Sequence, residues 1–204
     1  MDNNYIFQYW EAIQNGTVTV GKWIRTIYKI LVDGLKSGKW DYDEGKAEKA
    51  IKFIENFCHH SEGRNDLLKL ELWQKAIVSA IFGIMDKKTG YRQFREVFIV
   101  VARKNGKTLF AAAIAAYMTY IDGEYGAKVY FLAPKLDQAE LVYDAFYQIV
   151  QADDELDSIT KKRRSDIYIK EFNTSVKKIA FNSKKSDGFN PCLLYTSPSP
   201  RDIS

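Results

Sequence analysis

The sequence predicts an α/β fold in which a helical N-terminal subdomain precedes an incomplete parallel sheet. Residues 97–102 form an unbroken apolar run rich in β-branched side chains, which is typical of a strand buried on both faces. Residues 107–121 are alanine-rich and contain no glycine or proline, which indicates a buried helix. A second apolar run at 128–133 is followed by a helical pattern that extends to about residue 150. This β-α-β-α order implies parallel strands joined by right-handed crossovers.

Four helices are predicted before this core, because apolar residues recur there at intervals of three and four. They cover residues 5–14, residues 20–35, a segment from an N-cap at Asp43 to a stop at Gly63, and residues 70–85. We therefore expect a helical subdomain over residues 1–69 and the sheet domain over residues 70–191.

The residues after the second core helix predict two short strands and a tail. Residues 166–170 and 177–181 have strand-like patterns and could pair as a hairpin across 173–175. Three of the four prolines lie from residue 191 onward, and proline cannot sit in a central strand. Residues 192–204 are therefore expected to be a tail without a sheet partner, either non-native or disordered.

Length and composition indicate a globular protein of 204 residues, enough for one full domain and a subdomain. No run of about 18 apolar residues is present, so we expect no membrane span. The first residues lack a basic region followed by an apolar core, and therefore predict no secretory signal. Cys58 and Cys192 are far apart, which argues against a disulfide framework and for a reducing compartment.

The charge pattern is compatible with contact to nucleic acid but does not identify it. The formal net charge is +4, and four consecutive cations lie at 161–164. Such a run is either a solvated loop or part of a binding surface, and the sequence leaves both readings open.

The link between the first predicted strand and the helix after it has the features of a phosphate-binding loop. It reads Arg103, Lys104, Asn105, Gly106, Lys107, Thr108. Backbone N–H groups and the first turn of a helix favour an anion, and glycine lets the backbone approach it closely. Lys107 is expected to reach the β- and γ-phosphates, and the Thr108 hydroxyl to hold Mg²⁺. The simpler alternative is a helix N-terminus with a solvated lysine, since Val101 occupies the position of the usual first glycine.

A metal site at Cys58, His59 and His60 is a weaker hypothesis. Adjacent residues at a helix end point in different directions, and no second pair of ligands lies nearby in the sequence. Histidine also suits the negative end of a helix dipole, so a helix C-terminus explains the same residues.

Taken in order, these segments resemble the large subunit of tailed-phage terminases, the ATP-driven motors that package viral DNA. The landmarks are 15–22, 50–57, Leu72-Trp73-Gln74, 92–96, the loop 103–108, the opening at 137–139 and the segment 187–191. The missing first glycine of the loop is usual in that family. The resemblance implies an N-terminal fragment with a P-loop ATPase fold, and a nuclease domain that is absent here.

The resemblance also implies roles for particular residues. Gln74 would pair with the adenine edge, because an amide offers both a donor and an acceptor. Arg103 would lie over the γ-phosphate with its planar guanidinium. A strand after Pro191 would end in an Asp-Glu pair that holds Mg²⁺ through water and polarises the attacking water. No such pair follows here, so we expect this fragment to be inactive although the full-length protein is an ATPase and endonuclease.

Cofactors and partners follow from the same resemblance. We expect ATP and Mg²⁺ as cofactors, and double-stranded DNA, the portal protein and the small terminase subunit as partners. The full-length protein would form a homo-oligomeric ring in the host cytoplasm, docked transiently on the procapsid. The alternatives are a nucleic-acid-binding module that keeps its phosphate loop only as an anion site, or another P-loop enzyme such as a helicase or nucleotide kinase.

Overall fold

The computed structural model describes residues 4–60, 66–102, 104–123, 125–180 and 193–196. The chain divides into two compact units. Unit 1 comprises Met1–Glu55 and Lys69–Val100, and unit 2 comprises Asn56–Leu68 and Val101–Ser204. The helix after residue 69, which we grouped with the sheet domain, packs on the first helix of the chain, and unit 1 contains both helices.

Unit 1 is built from helices around one apolar core. Its elements are α1 (Tyr5–Gln14), α2 (Lys22–Lys36), β1 (Asp41–Tyr42), most of α3 (Glu44–Phe57), α4 (Leu72–Gly83) and β2 (Ile84–Met85). The core consists of buried side chains from α1, α2, α4 and the adjacent short segments: Ile6, Tyr9, Ile13, Tyr28, Leu31, Val32, Trp40, Ala76, Ala80 and Ile84. These residues recur at helical spacing. The predicted ends of α1, α2 and α4 therefore lie within a few residues of the observed ends.

Helix α3 ends at Phe57, before the predicted stop at Gly63. The chain turns at that point, because the carbonyl of Cys58 accepts a hydrogen bond from the N–H of Leu68 at 2.7 Å. Gly63 itself lies outside the described residues. Cys58 is a free, fully buried thiol, and burial raises its pKa to about 12, with a smaller contribution from the charge of Asp153.

Unit 2 contains a five-stranded sheet with helices α5 and α6 packed together. Its elements are α5 (Lys107–Tyr120), β3 (Lys128–Ala133), α6 (Leu136–Gln151), α7 (Asp154–Ser158), β4 (Thr160–Lys162), β5 (Ile167–Ile169), β6 (Thr174–Ala180) and β7 (Leu193–Thr196). The strand order is β4-β5-β6-β3-β7. β3 pairs in parallel with β6 and β7, whereas β4, β5 and β6 pair antiparallel. The predicted strand at 128–133 and the α/β class are confirmed.

The predicted strand at 97–102 is wrong for this structure. These residues form no strand, and Phe98 and Val100 are 91% and 88% exposed. An apolar run becomes a strand only where another strand accepts and donates its backbone hydrogen bonds. None of the described strands pairs with this run, and periodicity alone could not reveal that.

The predicted hairpin is present but shifted. β6 begins at Thr174, three residues earlier than expected, because Asn173 takes a left-handed turn conformation with φ 51°. The pairs Ile167 with Val176 and Ile169 with Thr174 then set the register. Part of the basic run forms the additional edge strand β4, which the sequence did not predict.

The expectation of a tail without a sheet partner is wrong for residues 193–196. They form β7, in which Leu193 pairs with Val129 and Tyr195 with Phe131. The rings of Tyr195 and Phe131 meet edge to face with centroids 6.0 Å apart. A short apolar segment ahead of the prolines is sufficient for this contact, because the prolines at 198 and 200 follow the strand. Residues 192 and 197–204 lie outside the described part.

Candidate phosphate-binding site

The loop before α5 makes a tight turn with two left-handed residues. Lys104 has φ 67°, and Gly106 has φ 64° and ψ 17°. The side-chain amide of Asn105 donates a hydrogen bond to the carbonyl of Ala102 at 3.2 Å, which ties the turn to the preceding segment. A left-handed conformation is ordinary for glycine but uncommon for lysine, and such residues cluster at ligand-binding loops.

The N-terminus of α5 offers backbone donors to an anion. The N–H of Phe110 bonds the carbonyl of Gly106 at 2.9 Å, so the N–H groups that precede it in the first turn lack an intrahelical acceptor. Gly106 is the N-cap and has no side chain to satisfy them. Apart from the adjoining backbone and chain neighbours, no atom of the described residues lies within 4 Å of the position that a Cβ on Gly106 would take, so this part of the loop has open space beside it. This arrangement suits a phosphate group.

The topology places this helix end at the carboxyl edge of the sheet. α5 has 14 residues and leads into β3, which has six, so by helical and strand rise both are about 20 Å long. A helix that returns along the sheet before a parallel strand starts at the edge where that strand ends. Open α/β sheets bind ligands at this edge.

The charges at the loop are available to a ligand. Lys104, Asn105, Gly106 and Lys107 are exposed, and Thr108 is half-buried. Among the residues that the structure describes, neither Lys104 nor Lys107 has a carboxylate within ion-pair distance. Two unneutralised cations beside free backbone donors form a site for a polyanion rather than for a neutral ligand. Arg103 lies outside the described residues.

Gln74 belongs to the other compact unit. It is only 8% exposed and lies in the first turn of α4. Its Oε1 accepts a hydrogen bond from the N–H of Glu71 at 2.9 Å, while the Glu71 side chain accepts from the N–H of Gln74. This reciprocal capping box is a structural role that the sequence analysis did not assign to Gln74.

Gln138 is a candidate that the sequence analysis named only as part of the opening of α6. It lies in the first turn of that helix, directly after β3, at the carboxyl edge of the sheet. Its Oε1 is buried and has no hydrogen-bond partner within the described ranges. An unsatisfied acceptor at this edge could accept a hydrogen bond from a ligand. The sequence feature that could have identified this candidate is the glutamine shortly after the second predicted strand.

The described part of the chain contains no cluster of side chains that could by itself hold a metal ion. Within the described ranges no group of three or more His, Cys, Asp and Glu side chains is placed to hold a metal ion. The hypothesis of a site at Cys58, His59 and His60 therefore gains no geometric basis. Separately, no helix in the described segments is long and apolar enough to cross a membrane.

Comparison with known proteins agrees with the α/β fold. No curated protein matches the chain. Among solved structures, the large terminase of bacteriophage HK97 matches with a TM-score of 0.63 and 25% sequence identity, over 74% of this chain and 30% of that one. The chain thus spans less than a third of that protein. The family model for the terminase large subunit, ATPase domain, matches residues 72–197. Because that match covers more than half of the chain, the chain belongs to the terminase large subunits, through their ATPase domain.

Proposed function

We propose that this chain binds ATP and Mg²⁺ at the loop 103–108, and that it is the ATPase portion of a motor that packages viral DNA. The observation that carries the proposal is the N-terminus of α5, where a left-handed glycine opens an uncapped helix that carries Lys107. The family match supports ATP as the ligand, since the matched region is an ATPase domain.

The residues of the loop fit a magnesium-bound triphosphate. The open space beside Gly106 leaves room for phosphate oxygens close to the backbone. Lys107 supplies a cation for the terminal phosphates, and the hydroxyl of Thr108 is the ligand that we assign to Mg²⁺. The metal supplies charge neutralisation for the phosphates when it is bound. Lys104 and Asn105 shape the turn, and we assign Arg103 to the γ-phosphate.

The remaining assignments extend the family resemblance to the whole protein. We propose that Gln74 reads adenine, and that full-length terminase acts on double-stranded DNA with the portal protein and the small terminase subunit. A homo-oligomeric ring in the host cytoplasm and an endonuclease in the C-terminal part belong to the same proposal. The match to a bacteriophage large terminase favours this function over that of a helicase or nucleotide kinase.

Replacement of Lys107 by alanine tests the nucleotide site. We expect Lys107→Ala to weaken binding of a fluorescent ATP analogue in the presence of Mg²⁺ by about 1.5–3 kcal/mol, which corresponds to roughly 10- to 150-fold in Kd. The reason is the loss of charge-assisted hydrogen bonds to phosphate. The measurement is a fluorescence titration of both proteins.

Lys29→Ala is the matched control, because Lys29 is an exposed lysine of α2 whose ion pair with Asp33 lies on the surface. It should bind the analogue as the unchanged protein does. Equal affinity in Lys107→Ala and the unchanged protein would refute the site.

A further inference from the structure

One face of the sheet in unit 2 carries a row of polar and basic side chains across four strands. Lys161 on β4 pairs with Tyr168 on β5, Tyr168 pairs with Ser175 on β6, and Ser175 pairs with Lys128 on β3. Directly paired residues in a sheet point to the same face, so these four side chains form one continuous row.

Two more cations lie on the same face. The guanidinium of Arg163 lies over the ring of Tyr168, 3.5 Å from its centroid. Lys177 is two residues beyond Ser175 on β6, so it points to the same side. We call Lys128, Lys161, Arg163 and Lys177, together with Tyr168 and Ser175, the basic face.

Helix α6 covers the opposite face, not this one. The ring of Phe131 contacts Tyr143 and Phe146 of α6. Phe131 pairs with Lys178, which forms an ion pair with Glu140 of the same helix. Because neighbours along a strand alternate between faces, Lys177 must lie on the side away from α6.

The cations of the basic face are not neutralised by the protein. Lys128, Lys161 and Arg163 are exposed and Lys177 is half-buried. Throughout the described part of the chain, none of the four has a carboxylate within ion-pair distance, whereas Lys178 on the covered face is paired. Asp166, the carboxylate closest to Arg163 in the sequence, is buried. Tyr130 and Leu132 lie on the same side of β3 as Lys128 and are buried, so the exposed part of this side is at Lys128 and toward the β4 edge. Four unpaired cations on this side of the sheet favour a polyanionic partner.

We propose that the basic face binds the sugar-phosphate backbone of double-stranded DNA, without reading its sequence. Lys161 and Lys128 are three strand spacings apart, about 14 Å at roughly 4.8 Å per strand. That distance is comparable with the ~12 Å width of the major groove, so the two ends of the row can reach phosphates on both sides of one groove. The hydroxyl of Ser175 can donate to a phosphate oxygen between them, whereas that of Tyr168 donates to Oδ1 of Asn173 at 3.0 Å. This inference rests on the proposed function, because a packaging motor must hold DNA of any sequence.

The test is the salt dependence of DNA binding by the whole 204-residue chain. The probe is a fluorescein-labelled 30-base-pair duplex of arbitrary sequence, followed by fluorescence anisotropy between 50 and 200 mM NaCl. Each phosphate contact contributes about 0.9 to the slope of log K against log[salt], so the double variant Lys128→Gln, Lys161→Gln should flatten the slope by about 1.8. Arg163→Gln should flatten it by about 0.9.

The matched control is the double variant Lys162→Gln, Lys178→Gln. It removes the same charge from the same sheet, but Lys162 lies over the ring of Tyr147 and Lys178 pairs with Glu140, both on α6. Its slope should remain that of the unchanged protein. Thermal unfolding of every variant checks that the fold is retained.

The outcomes separate this inference from the proposed function. Equal slopes in the test and control variants would refute DNA binding by the basic face. The same conclusion would follow if inorganic polyphosphate competed for binding as well as unlabelled duplex at equal charge. If binding of the ATP analogue still depends on Lys107 in that case, only the DNA surface is refuted. If Lys107→Ala binds nucleotide normally, the proposed function fails whatever the DNA result.

Discussion

Gln74 has one role that the structure shows, capping, and one that stays a proposal, adenine recognition. Its position in Leu72-Trp73-Gln74 suggested a role in adenine recognition, whereas in the fold its side chain completes the capping box of α4 with Glu71. Both roles use the same amide group, and both use its carbonyl oxygen as an acceptor. Capping uses the carbonyl oxygen, while adenine recognition needs a donor and an acceptor together.

Two substitutions of Gln74 separate the roles. Gln74→Ala should narrow the preference for ATP over GTP and also lower the free energy of unfolding by about 1 kcal/mol, because the N–H of Glu71 loses its acceptor. Gln74→Glu keeps an acceptor for that N–H but has no amide donor, so it should narrow the nucleotide preference with a smaller loss of stability. Competition binding and urea unfolding provide the two readouts. An unchanged ATP-to-GTP ratio in both variants would leave Gln74 with the capping role alone.

At the scale of elements, α5 and the loop before it form the candidate phosphate-binding site. The predicted helix at 107–121 corresponds to α5, and the predicted loop is present, but the strand expected before it is not. The left-handed residues Lys104 and Gly106 shape the turn within a few residues, so it does not require that strand. A turn of this kind is thus a local structure, whereas a strand is a pairing between distant segments.

Gly106→Ala tests the left-handed turn. A Cβ at φ 64° costs roughly 1–2 kcal/mol, so we expect lower stability together with weaker binding of the ATP analogue. Gly21→Ala is the matched control, since Gly21 is also an N-cap glycine, but its φ is −69°. Beyond its chain neighbours and adjoining helix backbone, no described residue comes within 4 Å of the position that an added Cβ would take there. It should bind nucleotide normally and lose less stability. Urea unfolding and titration of both variants measure the difference, and equal effects would contradict a role for the left-handed conformation.

At the scale of the whole molecule, the sheet of unit 2 contains the strand after Pro191 that the family resemblance implies. The Asp-Glu pair that this strand would carry at its end is not present in the sequence. β7 ends at Thr196, and the residues after it are Ser197-Pro198-Ser199-Pro200-Arg201-Asp202. Phosphoryl transfer requires a positioned water and stabilised charge, as well as a phosphate cradle. In the proposed site, the loop 103–108 would supply only the cradle.

We therefore expect no ATP hydrolysis above background by this chain, with or without DNA, and no DNA cleavage. A phosphate-release assay on the purified protein measures the first, and a plasmid-nicking assay the second. The control is Lys107→Ala, which should give the same background. Turnover that disappears in Lys107→Ala would show that a water-activating carboxylate lies elsewhere in the chain.

The sequence by itself determined the local features of this protein. The helices of unit 1, the helix α5 and the strand β3 were predictable because each is encoded by the periodicity of nearby residues. The assignment of residues 103–108 to phosphate binding also comes from a local pattern, since the glycine backbone, the lysine ammonium and the threonine hydroxyl are adjacent in the sequence, and it stays a prediction. The order of the landmarks was sufficient for the family, which the match over residues 72–197 confirms.

Only the tertiary structure decided which segments pair and which faces are free. The run at 97–102 is more apolar than the segment 193–196, yet only the second one has a strand, β3, beside it. Likewise, the basic run at 161–164 could be a solvated loop or a surface, and the register of β4 with β5 places Lys161 in line with Lys128. The physical reason is that sheet pairing joins residues that are distant in sequence, so no local pattern specifies the partner.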